Sequence, residues 1–110
     1  MIELQDAMWL ACSVAAEKFP EADECDFALK LKEEANELHQ ALKQDRPDLA
    51  IEEVADCLIV LASVIDKMEI SWDVVTAAVL FKSGKNKLRK FTRQLDGTYK
   101  HALPNHLEGE

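Results

Sequence analysis

Apolar residues recur at helical spacing in four segments of this 110-residue chain, and no stretch alternates convincingly at the period of two that is typical of strands. The chain has only three glycines and three prolines, which argues against a turn-dense all-β fold. Its length allows one domain with a modest core. We therefore predict an all-α fold of four helices in a single domain that spans residues 1–110.

Prolines and a capping residue separate the four segments. Pro20 ends the first segment, while Pro47 disfavours helical geometry at Arg46 and suits the first turn of a new helix. Ser71 suits the N-cap position of the last helix. The third segment contains the run Cys57–Ala62, which is apolar almost all round and predicts the most buried helix. The predicted helices cover about residues 3–18, 26–43, 47–68 and 72–93, and residues 95–110 are predicted to form an irregular tail.

Charge is distributed unevenly along the chain. The formal net charge is −8, but residues 1–73 carry 18 acidic and 6 basic side chains, whereas residues 74–110 carry 3 acidic and 7 basic ones. The net negative charge disfavours binding to a nucleic-acid polymer or to an anionic membrane surface. No apolar run approaches the length of a membrane span, and the N-terminus lacks the positive charge of a signal peptide. The three cysteines form no CxxC pair or Cys/His cluster, which fits a reduced, cytoplasmic protein.

Carboxylates border the apolar faces of the second and third predicted helices. At about 100° per residue, Glu34 lies about 20° outside the apolar stripe of the second helix and Glu37 about 60° beyond it, while Glu33 lies further toward solvent. On the third helix, Glu53 shares the apolar side and Asp56 lies at its border. Burying an unpaired carboxylate is costly, so such groups are protonated, paired with cations or bound to metal.

These two acidic pairs are compatible with more than one interpretation. Each carboxylate taken alone is typical of an ordinary solvated helix face. An antiparallel helix pair with a short loop would instead bring both pairs together, and divalent cations would then offset their repulsion. All-oxygen ligands favour Mg²⁺, with Mn²⁺ as a substitute. A di-iron bundle typically adds a histidine three residues after a glutamate, and His39 is out of that register.

The fourth predicted helix carries the complementary charge. Lys82, Asn86, Arg89 and Arg93 fall within a strip about 60° wide that continues an apolar row. Such a strip is also typical of a solvated basic helix with a few surface ion pairs. Opposite a metal site, however, lysine and arginine are the side chains that a polyphosphate requires. The combination predicts a small-molecule nucleotide as the ligand.

Three short motifs follow one another in a fixed order. The segment Lys30–Leu38, KLKEEANEL, has the form E-E-x-x-E, and Ile51–Leu61, IEEVADCLIVL, contains E-x-x-D. Lys82–Lys90, KSGKNKLRK, has the form K-x-x-x-N-x-x-R, and 15 residues separate Glu37 from Glu53. In these features, the chain resembles the MazG-like all-α nucleoside triphosphate pyrophosphohydrolases over roughly residues 27–93.

The resemblance implies hydrolysis of a (deoxy)nucleoside triphosphate to the monophosphate and pyrophosphate, with Mg²⁺ as cofactor. It also implies a four-helix MazG-like bundle that is completed by oligomerisation, as a homodimer or homotetramer. The ending Asp96–Ala102, DGTYKHA, is similar to that of short, phage-type members that act on deoxynucleotides. The implied catalytic residues are Glu33, Glu34, Glu37, Glu53 and Asp56, of which the last four bind metal, and the implied phosphate-binding residues are Lys82, Lys85, Asn86 and Arg89.

Aromatic side chains are the candidates for stacking on the base, although ordinary core or interface packing is their commoner role. Three other functions are compatible with the sequence. One is a phosphoribosyl-ATP pyrophosphohydrolase of the same fold, another is a non-catalytic helical oligomer that binds nucleotides or a protein, and the third is a carboxylate-bridged redox bundle. The base-binding candidates are Trp9, Phe27, His39 and Tyr99.

Overall fold

The computed structural model describes residues 1–102, which form four helices and one hairpin. The predicted all-α, four-helix class is confirmed, and the first three helices agree with their predicted bounds within two residues. Residues 103–110 of the predicted irregular tail lie outside the described part of the chain. The elements are α1 (Leu4–Lys18), α2 (Glu24–Lys43), α3 (Pro47–Lys67), α4 (Trp72–Leu88), β1 (Phe91–Arg93) and β2 (Tyr99–His101).

Local hydrogen bonds set the bounds of α2 and α3. The backbone N–H of Asp26 donates to the Asp23 carboxylate at 2.8 Å, and the N–H of Asp23 donates to the Asp26 carboxylate at 3.0 Å. This capping box starts α2 two residues before the predicted position. Only residues 44–46 connect α2 to α3, with Asp45 in a left-handed conformation (φ 55°). The short connection makes α2 and α3 an antiparallel hairpin.

The chain divides after Ser71 into two compact units. In the N-terminal unit, residues 1–71, α3 packs against both α1 and α2. The core consists mostly of small side chains, which allow close approach of the helices. The buried apolar residues are Met8, Cys12 and Ala15 of α1, Phe27 and Ala41 of α2, and Ala50, Ala62 and Ile65 of α3.

α3 has more buried residues than any other helix in the described part of the chain, as predicted, but one side of it is uncovered. Ile51, Val54 and Leu61 are 71%, 44% and 41% exposed. These residues are exposed because α1 and α2 pack on only part of the circumference of α3. We call Ile51, Val54 and Leu61 the α3 strip.

The C-terminal unit begins at Trp72, and its fourth helix is shorter than predicted. α4 ends at Leu88 instead of about Arg93, and its described side chains include no buried residue. β1 and β2 then pair as antiparallel strands, with Phe91 opposite His101. None of the helices in the described part of the chain is both long and apolar enough to cross a membrane.

A tight turn explains why residues 95–102 are not irregular as predicted. Gly97 adopts φ 92°, a conformation that glycine reaches without steric cost. The carboxylate of Asp96 accepts hydrogen bonds from the backbone N–H of Thr98 at 3.0 Å and from its hydroxyl at 2.6 Å. The Asp-Gly pair is a recognised hairpin signal, so the sequence did contain the evidence for this turn.

Candidate active site

Three glutamates of α2 and α3 converge in the N-terminal unit. One carboxylate oxygen each from Glu34, Glu37 and Glu53 lie within 4.8 Å of one another. Glu34 and Glu37 are one turn apart on α2, so they share a face, and the antiparallel α3 places Glu53 opposite them. The structure therefore brings together three of the four predicted metal ligands.

These carboxylates are partly withdrawn from solvent. Glu34 is only 7% exposed, Glu53 is half-buried and Glu37 is exposed. Oε2 of Glu34 and Oε2 of Glu53 are buried and have no hydrogen-bond partner among the described residues. Because an unpaired buried carboxylate oxygen is costly, the arrangement fits a cation that would supply the missing interaction.

Crowding of the three carboxylates alters the titration of Glu53. Its pKa is raised from 4.5 to about 7, chiefly by burial, and further by the neighbouring carboxylates of Glu37 and then Glu34. Without a cation, Glu53 therefore holds a proton over part of the neutral range. A bound cation would replace that proton, since metal ligands must be deprotonated.

Glu33 and Asp56 lie outside the close group. The side chain of Glu33 is 64% exposed, in agreement with its predicted position on the solvent side of α2. Asp56 is exposed on α3. The catalytic role of Glu33 and the metal-binding role of Asp56 stay predictions.

Lys30 is a member of the site that sequence reasoning missed. Its Nζ lies 3.4 Å from Oε2 of Glu33 and 3.5 Å from Oε1 of Glu34. The negative charge of Glu33, and then that of Glu34, raises the pKa of Lys30. The i,i+3 and i,i+4 spacing on a helix was the signal that could have identified these pairs.

An apolar cavity of about 330 Å³ lies among α1, α2 and α3. Phe27 and Val60 contribute to its apolar walls, and Asp26, Lys30 and Ser63 are its polar lining residues in the described part of the chain. Phe27 is thus the one predicted base-binding residue that lines this cavity. The other three are exposed elsewhere: Trp9 on α1, His39 on α2 and Tyr99 on β2.

The predicted phosphate-binding residues belong to the C-terminal unit. Lys82, Lys85 and Asn86 lie on α4, and Arg89 follows its end and donates from Nη1 to Oδ1 of Asn86 at 3.3 Å. Arg93 lies on β1, so the prediction that it continues the helical basic strip was wrong. The helix ends before that residue because the hairpin begins there. A phosphate-binding role for Lys82, Lys85, Asn86 and Arg89 stays a prediction.

The model of one protein family, phosphoribosyl-ATP pyrophosphohydrolase, matches residues 1–82. The chain belongs to this family. It is accordingly a nucleotide pyrophosphohydrolase, and the matched range contains all five predicted acidic residues. Among curated proteins, none is similar enough to this chain to count as a match.

The fold is similar to that of a solved MazG-like pyrophosphohydrolase from cyanophage S-2L, which is bound to dGDP and three catalytic Mn²⁺ ions per active site. The two chains are 22% identical, with a TM-score of 0.67, and the similarity covers 93% of this chain and 99% of that chain. The predicted MazG-like fold is confirmed by this match.

We expect Glu53→Gln to stabilise the metal-free protein at pH 8. The folded chain binds the Glu53 proton more tightly than the unfolded chain does, so the resulting stabilisation is complete below about pH 4.5 and is lost as the pH rises through about 7. Glutamine at this position carries no charge at any pH, so the variant does not lose this stability as the pH rises. Urea unfolding in EDTA should therefore give a higher midpoint for Glu53→Gln than for wild type at pH 8, with a smaller difference at pH 5.

The matched control is Glu52→Gln, which removes the same charge from an exposed position on α3. It accounts for the general effect of lowering the net negative charge. If Glu52→Gln gave the same pH-dependent difference as Glu53→Gln, the crowding of carboxylates at Glu53 would not be its cause.

Proposed function

We propose that the chain hydrolyses a nucleoside triphosphate, with deoxynucleotides favoured, to the monophosphate and pyrophosphate. The observation that carries this proposal is the convergence of Glu34, Glu37 and Glu53 with two buried, unpaired oxygens. The dGDP and Mn²⁺ bound by the cyanophage S-2L protein support it. The DGTYKHA ending at Asp96–Ala102 supports the preference for deoxynucleotides.

The proposed cofactor is Mg²⁺, with Mn²⁺ as a substitute, held by Glu34, Glu37 and Glu53. Carboxylate oxygens are the ligands that these hard cations prefer. Burial, followed by the charge of Glu34, raises the pKa of the Cys57 thiol on the same helix as Glu53. Cys57 is not a member of the converging group, so the donor set in the described part of the chain is all-oxygen. Asp56, one turn after Glu53, is the proposed fourth ligand.

The proposed reaction is an in-line hydrolysis. The oxygen of water attacks the α-phosphorus, and the bond from that phosphorus to the oxygen bridging to the β-phosphorus breaks. Pyrophosphate leaves with the bridging oxygen, and at pH 8 one proton is released to solvent. Divalent cations lower the pKa of the attacking water and offset phosphate charge when bound. Glu33 is proposed to orient the water, and the proposed phosphate-binding residues are Lys82, Lys85, Asn86 and Arg89.

The apolar cavity is the proposed site for the nucleobase. Its volume of about 330 Å³ is at the lower end of the range of small-molecule sites. Phe27 supplies an aromatic ring for contact with the base, while Asp26 and Ser63 supply polar groups. Tyr99 remains a second candidate for base contact.

Phosphoribosyl-ATP is the second candidate substrate because the matched family carries its name. Its adenine bears an additional ribose phosphate, which would require cations around the base. Lys30 is the single cationic residue among those described as lining the cavity. The cavity therefore favours a base that carries no second phosphate.

We expect purified protein with Mg²⁺ to release the monophosphate and pyrophosphate from at least one member of a panel of dNTPs, NTPs and phosphoribosyl-ATP. Glu37→Gln should lower kcat/KM by about 100-fold, because it removes a cation ligand, whereas Glu52→Gln should remain close to wild type. Anion-exchange chromatography of the products is the measurement. Release of orthophosphate alone, or full activity of Glu37→Gln, would contradict the proposal, and faster turnover of phosphoribosyl-ATP would select the second candidate.

A homodimer or homotetramer in the cytoplasm is the proposed state of the protein. The exposed α3 strip supports this, since apolar patches on a folded chain mark interaction surfaces. α4 likewise exposes Val79, Leu80 and Phe81. A small chain gains apolar burial from a partner copy. The free cysteines support the reducing location.

We expect Ile51→Lys, which places a charge in the α3 strip, to lower the oligomeric state. Light scattering coupled to size-exclusion chromatography should give a smaller mass for this variant than for wild type. Leu29→Lys is the control because Leu29 is 62% exposed on α2, outside the strip. A wild-type mass equal to the 12.4 kDa of one chain would contradict the proposed oligomer.

A further inference from the structure

Lys30 belongs to both parts of the candidate site. Its side chain lines the apolar cavity, and its Nζ lies 3.5 Å from Oε1 of Glu34. The other oxygen of that glutamate is buried without a hydrogen-bond partner among the described residues, and Glu34 is a member of the carboxylate cluster. Lys30 therefore marks the border between the proposed base site and the proposed cation site.

A nucleotide that occupied both the proposed base site and the proposed cation site would extend past Lys30. Its base would lie in the cavity, and its β- and γ-phosphates would lie with the cations at the glutamates. The sugar and the α-phosphate are the groups between them. These are therefore the parts of the substrate that come within reach of the Lys30 ammonium group.

The position of a lysine beside a cation site has to be explained, because the positive charge of the lysine repels the cation. Lys30 does not reinforce the proposed binding of divalent ions by its charge. A phosphate oxygen, by contrast, is stabilised by an ammonium group and by a divalent cation together. The position of Lys30 is thus better explained by a substrate anion than by the cation alone.

Lys30 is free to make this contact at little cost. Its side chain is 52% exposed, and its ion pair with the exposed Glu33 joins residues three apart on a helix surface, where such pairs are weak. Its second ion pair is with Glu34, whose side chain is 10% exposed. Glu34 attracts Lys30 less when its charge is shared with a cation, and the flexible lysine stem allows the ammonium group to turn.

Resting on the proposed function, we propose that Lys30 binds the α-phosphate of the substrate and stabilises the negative charge that develops on it. Lys30 is then a substrate-contacting residue of the N-terminal unit, additional to the basic residues after residue 74. It precedes the first glutamate of the E-E-x-x-E motif by three residues and lies outside the basic motif.

The test compares Lys30→Met with Lys32→Met, which removes the same charge two residues away at an exposed position on α2. With the best substrate of the panel and saturating Mg²⁺, Lys30→Met should lower kcat/KM by about 10- to 100-fold. Lys30→Arg should retain most of the wild-type kcat/KM, and Lys32→Met should have a kcat/KM close to that of wild type. Titration with Mn²⁺, followed by electron paramagnetic resonance, should show that Lys30→Met binds this cation at least as tightly as wild type.

Three results would overturn the inference. Equal kcat/KM for Lys30→Met and Lys32→Met would show that Lys30 has no contact of consequence with the substrate. Weaker Mn²⁺ binding by Lys30→Met, with wild-type kcat/KM at saturating cation, would show that Lys30 only orients Glu34. A wild-type protein that turns over no nucleotide of the panel would overturn the proposed function, and this inference with it.

Discussion

Mutual repulsion among three carboxylates is the constraint on which the candidate site depends. The antiparallel packing of α2 against α3 holds one carboxylate oxygen each of Glu34, Glu37 and Glu53 within 4.8 Å of one another. Oε2 of Glu34 and Oε2 of Glu53 are buried without hydrogen-bond partners among the described residues. Apolar burial between the helices, including that of Phe27 and Ala62, offsets this cost. A proton on Glu53 relieves part of the repulsion, and a divalent cation would relieve more. The fold therefore creates a local requirement for positive charge.

Within the N-terminal unit, one lysine supplies part of this positive charge. Lys30 neutralises part of the charge of Glu33 and Glu34 from the same helix. Divalent cations would occupy the cluster itself, and a nucleotide would reach the site together with them. The seven basic residues between 74 and 110 give the C-terminal part of the chain a charge suited to phosphates. The formal net charge of −8 is therefore compatible with a small polyanionic substrate, because the charges are separated along the chain.

Features that depend on local periodicity could be predicted from the sequence. Helical spacing placed Glu34 at the edge of the buried face and Glu33 toward solvent, and both positions are those of the structure. The start of α3 at Pro47 could also be predicted, because it depends on the local preference of proline for the first turn of a helix. The motifs predicted the family, and the match of the family model to residues 1–82 confirms it.

Features that depend on tertiary packing could not be predicted in the same way. The exposed α3 strip follows from how much of α3 the neighbouring helices cover, which periodicity does not specify. The cavity needs side chains from α1, α2 and α3 at once. The hairpin was missed for another reason: basic residues at helical spacing suggested that α4 continues to Arg93, although Asp96 and Gly97 carried the turn signal.

Binding of Mn²⁺ to wild type and to Glu34→Gln tests the account most directly, because Glu34 is the most buried member of the cluster. Loss of the free Mn²⁺ signal in electron paramagnetic resonance measures binding without requiring turnover. Wild type should bind Mn²⁺, and excess Mg²⁺ should displace it. Glu34→Gln should weaken binding by at least about tenfold, while Glu52→Gln should not. Equal binding by wild type and Glu34→Gln, or no binding by wild type, would contradict it.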